Sequence, residues 1–188
     1  ERGAEADEAT LLAASRSGRA LLRCVAAGAL ARLGSRAVRD RVLEMAESDP
    51  EFEVRRAAVA AIAGTPEAAG IAARALEDSH PAVRRAGLRL VADLADPGLC
   101  GRAATLADAD ESDDVRGEAL VALAACSPDV ALERVGRAML DPVLAPYAVR
   151  ALARVAERDP ARLKRYRDEA ASPRAAFAVD ALYLGKDR

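Results

Sequence analysis

The chain has 188 residues and a formal net charge of −2, so it has room for a continuous core but no global field drawing it to nucleic acid or an anionic membrane. Apolar residues make up 52%, aromatics only 3%, and Trp is absent, so Ala, Leu and Val must carry that core. No apolar run reaches the roughly eighteen residues of a spanning helix, and no basic region followed by an apolar one opens the sequence as a signal peptide would.

Helical spacing starts near residue 20 and recurs to the end. Leu22, Ala26, Ala27 and Leu30 predict a first amphipathic helix, with Arg23 directly after its anchor. Residues 35–47 predict another through Val38, Val42, Leu43 and Ala46. Residues 49–62, DPEFEVRRAAVAAI, place Asp49 ahead of Val54-Arg55, Ala58, Val59 and Ile62. Residues 66–77 open on Pro66 and carry Ile71, Ala75 and Leu76. The Asp-led pattern returns at 78–91, with Val83-Arg84, Gly87, Leu88 and Val91. A helix over 97–108, opening on Pro97, leads to a third copy at 110–123, with Val115-Arg116, Ala119, Leu120 and Leu123. Residues 128–140, opening on Pro128, precede a copy on Leu144, Ala148, Val149 and Leu152 that has lost the Arg and gained Pro146. The last copy, on Arg174, Ala178, Val179 and Leu182, is weaker because its anchor is charged. Thr65-Pro66, Asp96-Pro97 and Ser127-Pro128 read as a cap followed by a first turn. No segment sustains period-two alternation, so no strand is expected.

The six anchors lie 32, 29, 32, 29 and 30 residues apart. At about 100° per residue, the positions four, five and eight after an anchor share its helix face. A period near thirty holds a second helix between anchors, so the repeat unit is a helical pair. The expectation is an all-α, right-handed α-α superhelix of about six such pairs, forming a single repeat domain over 1–188.

The D-x-x-P/x-x-V-R-x-x-A-φ pattern, with φ aliphatic, resembles the HEAT-like repeats of phycobilisome-lyase-type proteins and bacterial scaffold proteins. The resemblance spans about residues 4 to 184. The period is shorter than the roughly 40–47 residues of full-length HEAT repeats. Tetratricopeptide repeats fit less well, because their Trp-Gly-Tyr positions are absent. The resemblance implies a solenoid of the armadillo-like class whose second helices line a concave binding face.

The arginines after the anchors, Arg23, Arg55, Arg84 and Arg116, fall inside the apolar arc. A partly buried guanidinium needs a partner. The Asp six residues earlier, at Asp49, Asp78 and Asp110, is the candidate, giving an Asp–Arg ladder that fixes register between repeats. His80 is the only histidine and reads as a turn residue. Without companions it makes neither a metal site nor a general base. Cys24, Cys100 and Cys126 are odd in number and widely spaced, so all three are expected to be free, buried thiols. No Gly-rich phosphate loop or nucleophile elbow is present, so no catalytic residue, metal or cofactor is expected.

The outward positions of the second helices are rich in Arg. Arg56, Arg85, Arg89, Tyr147, Arg150 and Arg154 are the candidate partner-binding residues, set against Asp93, Glu118 and Asp180. The basic cluster Arg162, Lys164, Arg165 and Arg167 reads as a solvated outer face. The expected function is a monomeric, non-enzymatic scaffold that grips a protein partner, such as an acidic or extended segment, on the second-helix face. The alternatives are nucleic-acid backbone binding by the same arginines, as in helical-repeat DNA glycosylases, and a chromophore-lyase-like enzyme. The net charge and the shortage of aromatics for base stacking weigh against nucleic acid. No reactive thiol environment is legible for a lyase. The sequence begins at Glu1 rather than Met and reads as an excised segment. The expected location is the cytoplasm, unless an anchor or signal lies upstream.

Overall fold

A computed structural model describes residues 2–33, 35–169 and 173–184, with side chains from 7 to 181. Those residues form twelve α-helices and no strand. Six are first helices of a pair: α1 (Arg2–Ala14), α3 (Arg36–Ser48), α5 (Ala68–Ala75), α7 (Cys100–Ala109), α9 (Pro128–Ala138) and α11 (Pro160–Glu169). Six are second helices: α2 (Ala20–Leu30), α4 (Phe52–Ala61), α6 (Pro81–Leu94), α8 (Asp113–Cys126), α10 (Ala145–Arg158) and α12 (Pro173–Leu184). None of the described helices is long and apolar enough to cross a membrane.

The chain divides into two compact units, Glu1–Leu90 and Val91–Arg188, with the division inside α6. In the first unit, α2 packs on α4 while α3 packs on both α4 and α5. In the second, α8 packs on α7, α9 and α10, and α10 packs in turn on α9, α11 and α12. The second helices α2, α8 and α10 therefore each touch their own first helix and the second helix of the next copy.

The anchor face forms the core. Val54, Ala58, Val59 and Ile62 of α4 are buried, as are Val83, Leu88 and Val91 of α6 and Val115, Ala119, Leu120 and Leu123 of α8. Each fully buried Val, Leu or Ile contributes about 1.5–3 kcal/mol. The small residue four after the anchor has a steric reason. A Cβ on Gly87 would stand 2.8 Å from the Ala75 Cβ and 3.3 Å from its carbonyl carbon, so α6 and α5 approach too closely for a larger side chain. The end copies depart from the template. Leu22 is 42% exposed although Ala26, Ala27 and Leu30 beneath it are buried, and Val149 is 37% exposed although Ala148 and Leu152 are buried. Arg174 is exposed, Ala178 and Val179 are buried, and the Leu182 side chain lies outside the described residues.

Three expectations about local chemistry need correction. Asp96 does cap the turn after α6, its Oδ1 accepting from the Gly98 amide at 2.8 Å. Thr65 and Ser127 give no side-chain cap: α5 starts after Glu67 rather than at Pro66, and only the Ser127 carbonyl serves α9. The cysteines are not three buried thiols. Cys100 and Cys126 are paired as a disulfide between the start of α7 and the end of α8, their Cα atoms 6.0 Å apart, and Cys24 is a half-exposed thiol. Their separation of 26 residues hides this pairing from any motif search.

Candidate protein-interaction face

The Val-Arg arginines belong to the scaffold. Arg23 forks onto Asp49, with both Nε···Oδ2 and Nη2···Oδ1 at 2.8 Å. Arg55 forks onto Asp78 in the same way, at 2.8 and 2.9 Å. The partner differs from the expected one. The Asp49 and Asp78 carboxylates each receive the Arg of the preceding copy, not the Arg six residues after them. The Arg six residues on takes the carbonyl at that Asp instead: Arg55 Nη1 donates to Asp49 O at 2.8 Å, Arg84 Nη1 to Asp78 O at 2.9 Å and Arg116 Nη1 to Asp110 O at 3.0 Å. Arg23 makes the same bond to Ser17 O at 2.9 Å. Arg116 also pairs with Asp113 on its own helix.

Each of these Asp residues also turns the chain. Oδ1 of Asp49, Asp78 and Asp110 accepts from the amide two residues on, at Glu51, His80 and Ser112, over 2.8–3.0 Å. Burial pushes the Asp49 and Asp78 carboxyls up, but the Arg fork and the backbone amide outweigh it and hold both below the usual carboxylate range. His80 fulfils the turn reading: its Nδ1 accepts from the Ala82 amide at 3.2 Å, and its ring stacks on Phe52 with centroids 3.4 Å apart.

The candidate residues fall in both units. In the first unit Arg56 is exposed on α4, Arg89 is exposed on α6, and Arg85 is half-buried on α6. No hydrogen bond or ion pair reaches Arg56 among the described residues, whereas Arg85 and Arg89 are both engaged. In the second unit the structure brings Tyr147, Arg150 and Arg154 together on α10. The Tyr147 hydroxyl donates to Asp114 Oδ1 at 2.6 Å. Its ring lies against Gly117, where any Cβ would overlap it. The Arg150 guanidinium carbon stands 5.6 Å from that ring's centroid, and Arg150 Nη2 donates to Glu118 Oε1 at 3.2 Å. Arg154 faces Asp93 at 3.7 Å.

Two of the acids set against these arginines, Glu118 and Asp93, are therefore their partners, and Asp180 pairs with Arg167 at 2.8 Å. The α10 patch is charge-balanced, not cationic. Asp114 and Gly117 were not singled out from sequence. Their signal is a Gly on the outward side of α8 where α4 and α6 carry Arg56 and Arg85, since a helix-interior Gly costs about 1 kcal/mol unless something needs the space. The basic cluster on α11 is also partly engaged, with Arg162 near Asp129 and Asp159 at 3.5 and 3.2 Å.

Residues 43–124, from within α3 to within α8, match the HEAT repeats family. That stretch is similar to HEAT repeats. Two solved structures share the fold around them. One is the crystal structure of an engineered protein from the Northeast Structural Genomics Consortium, with a TM-score of 0.53 and 16% identity over 93% of this chain and 94% of that one. The other is a designed armadillo repeat protein, with a TM-score of 0.52 and 17% identity over 92% of this chain and 98% of that one. At such identities the likeness shows the helical-repeat fold alone, and it extends well beyond the matched HEAT repeats. No curated protein matches the sequence.

Proposed function

We propose that this chain is a non-enzymatic interaction scaffold whose second-helix faces bind a protein partner, through Arg56, Arg85 and Arg89 in the first unit and Tyr147, Arg150 and Arg154 in the second. The repeat fold supports a scaffold role, because stacked pairs offer side chains at regular spacing on rigid helices. The observation that carries the reading is the Tyr147–Arg150 pair. Tyr147 is half-exposed yet held by Asp114, Gly117 and the Arg150 guanidinium, so a partner meets an amphipathic ring already ordered. Tyr and Arg dominate the energetics of many protein interfaces.

The charge balance argues against a phosphate-tracking surface. Arg150 and Arg154 already face carboxylates, so each phosphate contact would have to displace an ion pair. We further propose a monomer in the cytoplasm.

The test uses immobilised chain and its Arg85→Ala/Arg89→Ala/Arg150→Ala/Arg154→Ala variant as baits in the source lysate, with salt titrations against duplex and single-stranded DNA in parallel. The reading expects a discrete protein retained by the parent and lost by the variant. Binding to DNA that falls steeply with salt would replace it with the nucleic-acid reading, and equal retention by both baits would remove these arginines from the site.

A further inference from the structure

We infer that the outer face of α2 is the dock for an acidic amphipathic helix of a partner protein. This rests on the reading that second-helix faces bind protein, and it names the kind of partner for this helix.

The buried side of α2 is Arg23, Ala26, Ala27 and Leu30. At 100° per residue the opposite side is Leu21, Val25 and Gly28. Leu21 is 73% exposed and Val25 63%, with Leu22 beside them. Gly28 is exposed and has open space where a Cβ would stand. Inside α2 the only charged side chain is Arg23, which turns inward to Asp49. A surface helix ordinarily reserves its outward side for charge. Its neighbour α4 is less apolar there, with Glu53 and Ala57 in the places of Leu21 and Val25.

The repeat shows what shape of occupant the face takes. Leu22 holds the register of Val54, which is fully buried in a helix that packs on α2. One copy later, then, this position lies in the core of the stack. The same register at Leu22 is 42% exposed, and side chains on a helix surface form ridges and grooves into which a second helix packs.

Charge selects among helices. Arg19 precedes α2, Arg32 follows it, and Arg56 stands on α4 at its side. None of the three has an ion-pair partner among the described residues. Arg19 and Arg32 are thirteen residues apart, about 20 Å along the axis at 1.5 Å per residue. Two α2 helices packed about a two-fold axis would set Arg19 against Arg32 or against itself, bringing like charges together. A helix with an apolar stripe and carboxylates near both ends meets the same arginines favourably. The Leu and Val side chains supply the contact area, and the arginines set the ends.

The probe is a fluorescein-labelled helical peptide of about eighteen residues, about 27 Å long, with Leu at i, i+3, i+4 spacing and Glu at both ends. Its counterpart carries Lys in place of Glu, and phosphatidylglycerol vesicles form a third arm. The intact chain should bind the Glu peptide and discriminate against the Lys peptide. Leu21→Ser/Val25→Ser should weaken Glu-peptide binding roughly tenfold or more. Arg32→Glu/Arg56→Glu should reverse the preference between peptides. Both variants alter exposed residues, and an unchanged far-UV circular-dichroism melt confirms that each is folded.

Equal binding of the two peptides, or Glu-peptide binding that both variants leave intact, overturns the inference. So does vesicle binding that depends on Leu21 and Val25 while neither peptide binds, which would make the strip a lipid surface. A dimer in sedimentation that Leu21→Ser/Val25→Ser dissolves would make the occupant a second copy and overturn it as well. If the α2 variants keep the Glu peptide and the Arg85/Arg89/Arg150/Arg154 alanine variant loses it, only this inference falls and the second-helix reading stands. If neither set changes peptide binding, this inference falls, and the second-helix reading is decided by the retention experiment with the arginine variant.

Discussion

Arg55 and Asp78 lie 23 residues apart, yet they meet in a two-bond fork of 2.8 and 2.9 Å with both side chains less than one-sixth exposed. Asp78 also accepts the His80 amide, so one carboxylate joins an arginine of one copy to the turn that begins the next. The fork couples the register of the stack to the geometry of the turn.

Removing one partner leaves the other buried and charged. Arg55→Ala should therefore destabilise the chain by about 2–3 kcal/mol, between the values for an exposed pair and a fully buried one. Asp78→Asn should cost less, because the amide oxygen still accepts from Arg55 or from the His80 amide. Urea unfolding of the two single variants and the double variant measures this. A double-mutant cycle with no coupling would mean that the fork does not stabilise the stack.

Asp49 and Asp78 have folded-state pKa values below their unfolded ones. As pH falls through about 4 the unfolded chain binds protons first, so stability drops with falling pH. The contribution is complete above the unfolded pKa and is lost once both carboxyls are protonated. Urea midpoints measured from pH 6 down to about pH 2.5 should decline, and the decline should be shallower in Asp49→Asn and Asp78→Asn. An unchanged slope in both variants would assign the acid sensitivity elsewhere.

Gly117 is the floor on which Tyr147 rests. Gly117→Ala should expel the ring and break its bond to Asp114, destabilising the second unit by about 1–3 kcal/mol despite the better helix propensity of Ala. Tyr147→Phe keeps the ring and removes only the hydroxyl bond, so it should cost about 1 kcal/mol or less. Thermal melts with tyrosine fluorescence distinguish the two. Stabilisation by Gly117→Ala would show that the ring is free to leave.

The Cys100–Cys126 pair leaves Cys24 as the one thiol in the oxidised chain. Thiol titration under denaturing, non-reducing conditions should count one group per chain, rising to three after reduction. Reduction should also lower the melting temperature, since a link across a loop of this size is worth about 2–4 kcal/mol. Three reactive thiols without reductant would mean that the pair stays open in the protein as isolated.

Periodicity alone marked the second helices, because a face at positions zero, four, five and eight can be satisfied only by a helix that buries it. Arg55 and Arg84 inside that arc, and Asp49 and Asp78 ahead of it, declared a buried ionic ladder. Their pairing was not legible. A sequence shows Asp49 six residues before Arg55 and 26 after Arg23, and only packing decides which guanidinium reaches the carboxylate and which must take the carbonyl. The exposure of Leu22 was hidden for the same reason: its residue type suits a core, but burial depends on whether another helix lies against it. The arginine count on α10 suggested a cationic surface. Tertiary structure neutralised it by placing Glu118 and Asp93, 32 and 61 residues upstream, within reach of Arg150 and Arg154. Residue pattern thus determined the repeat and its core, because hydrophobic burial acts through local helical geometry. The Asp–Arg forks and the open face of α2 were decided by contacts between copies, and the disulfide by the packing of α7 on α8, where distance in space is unrelated to distance along the chain.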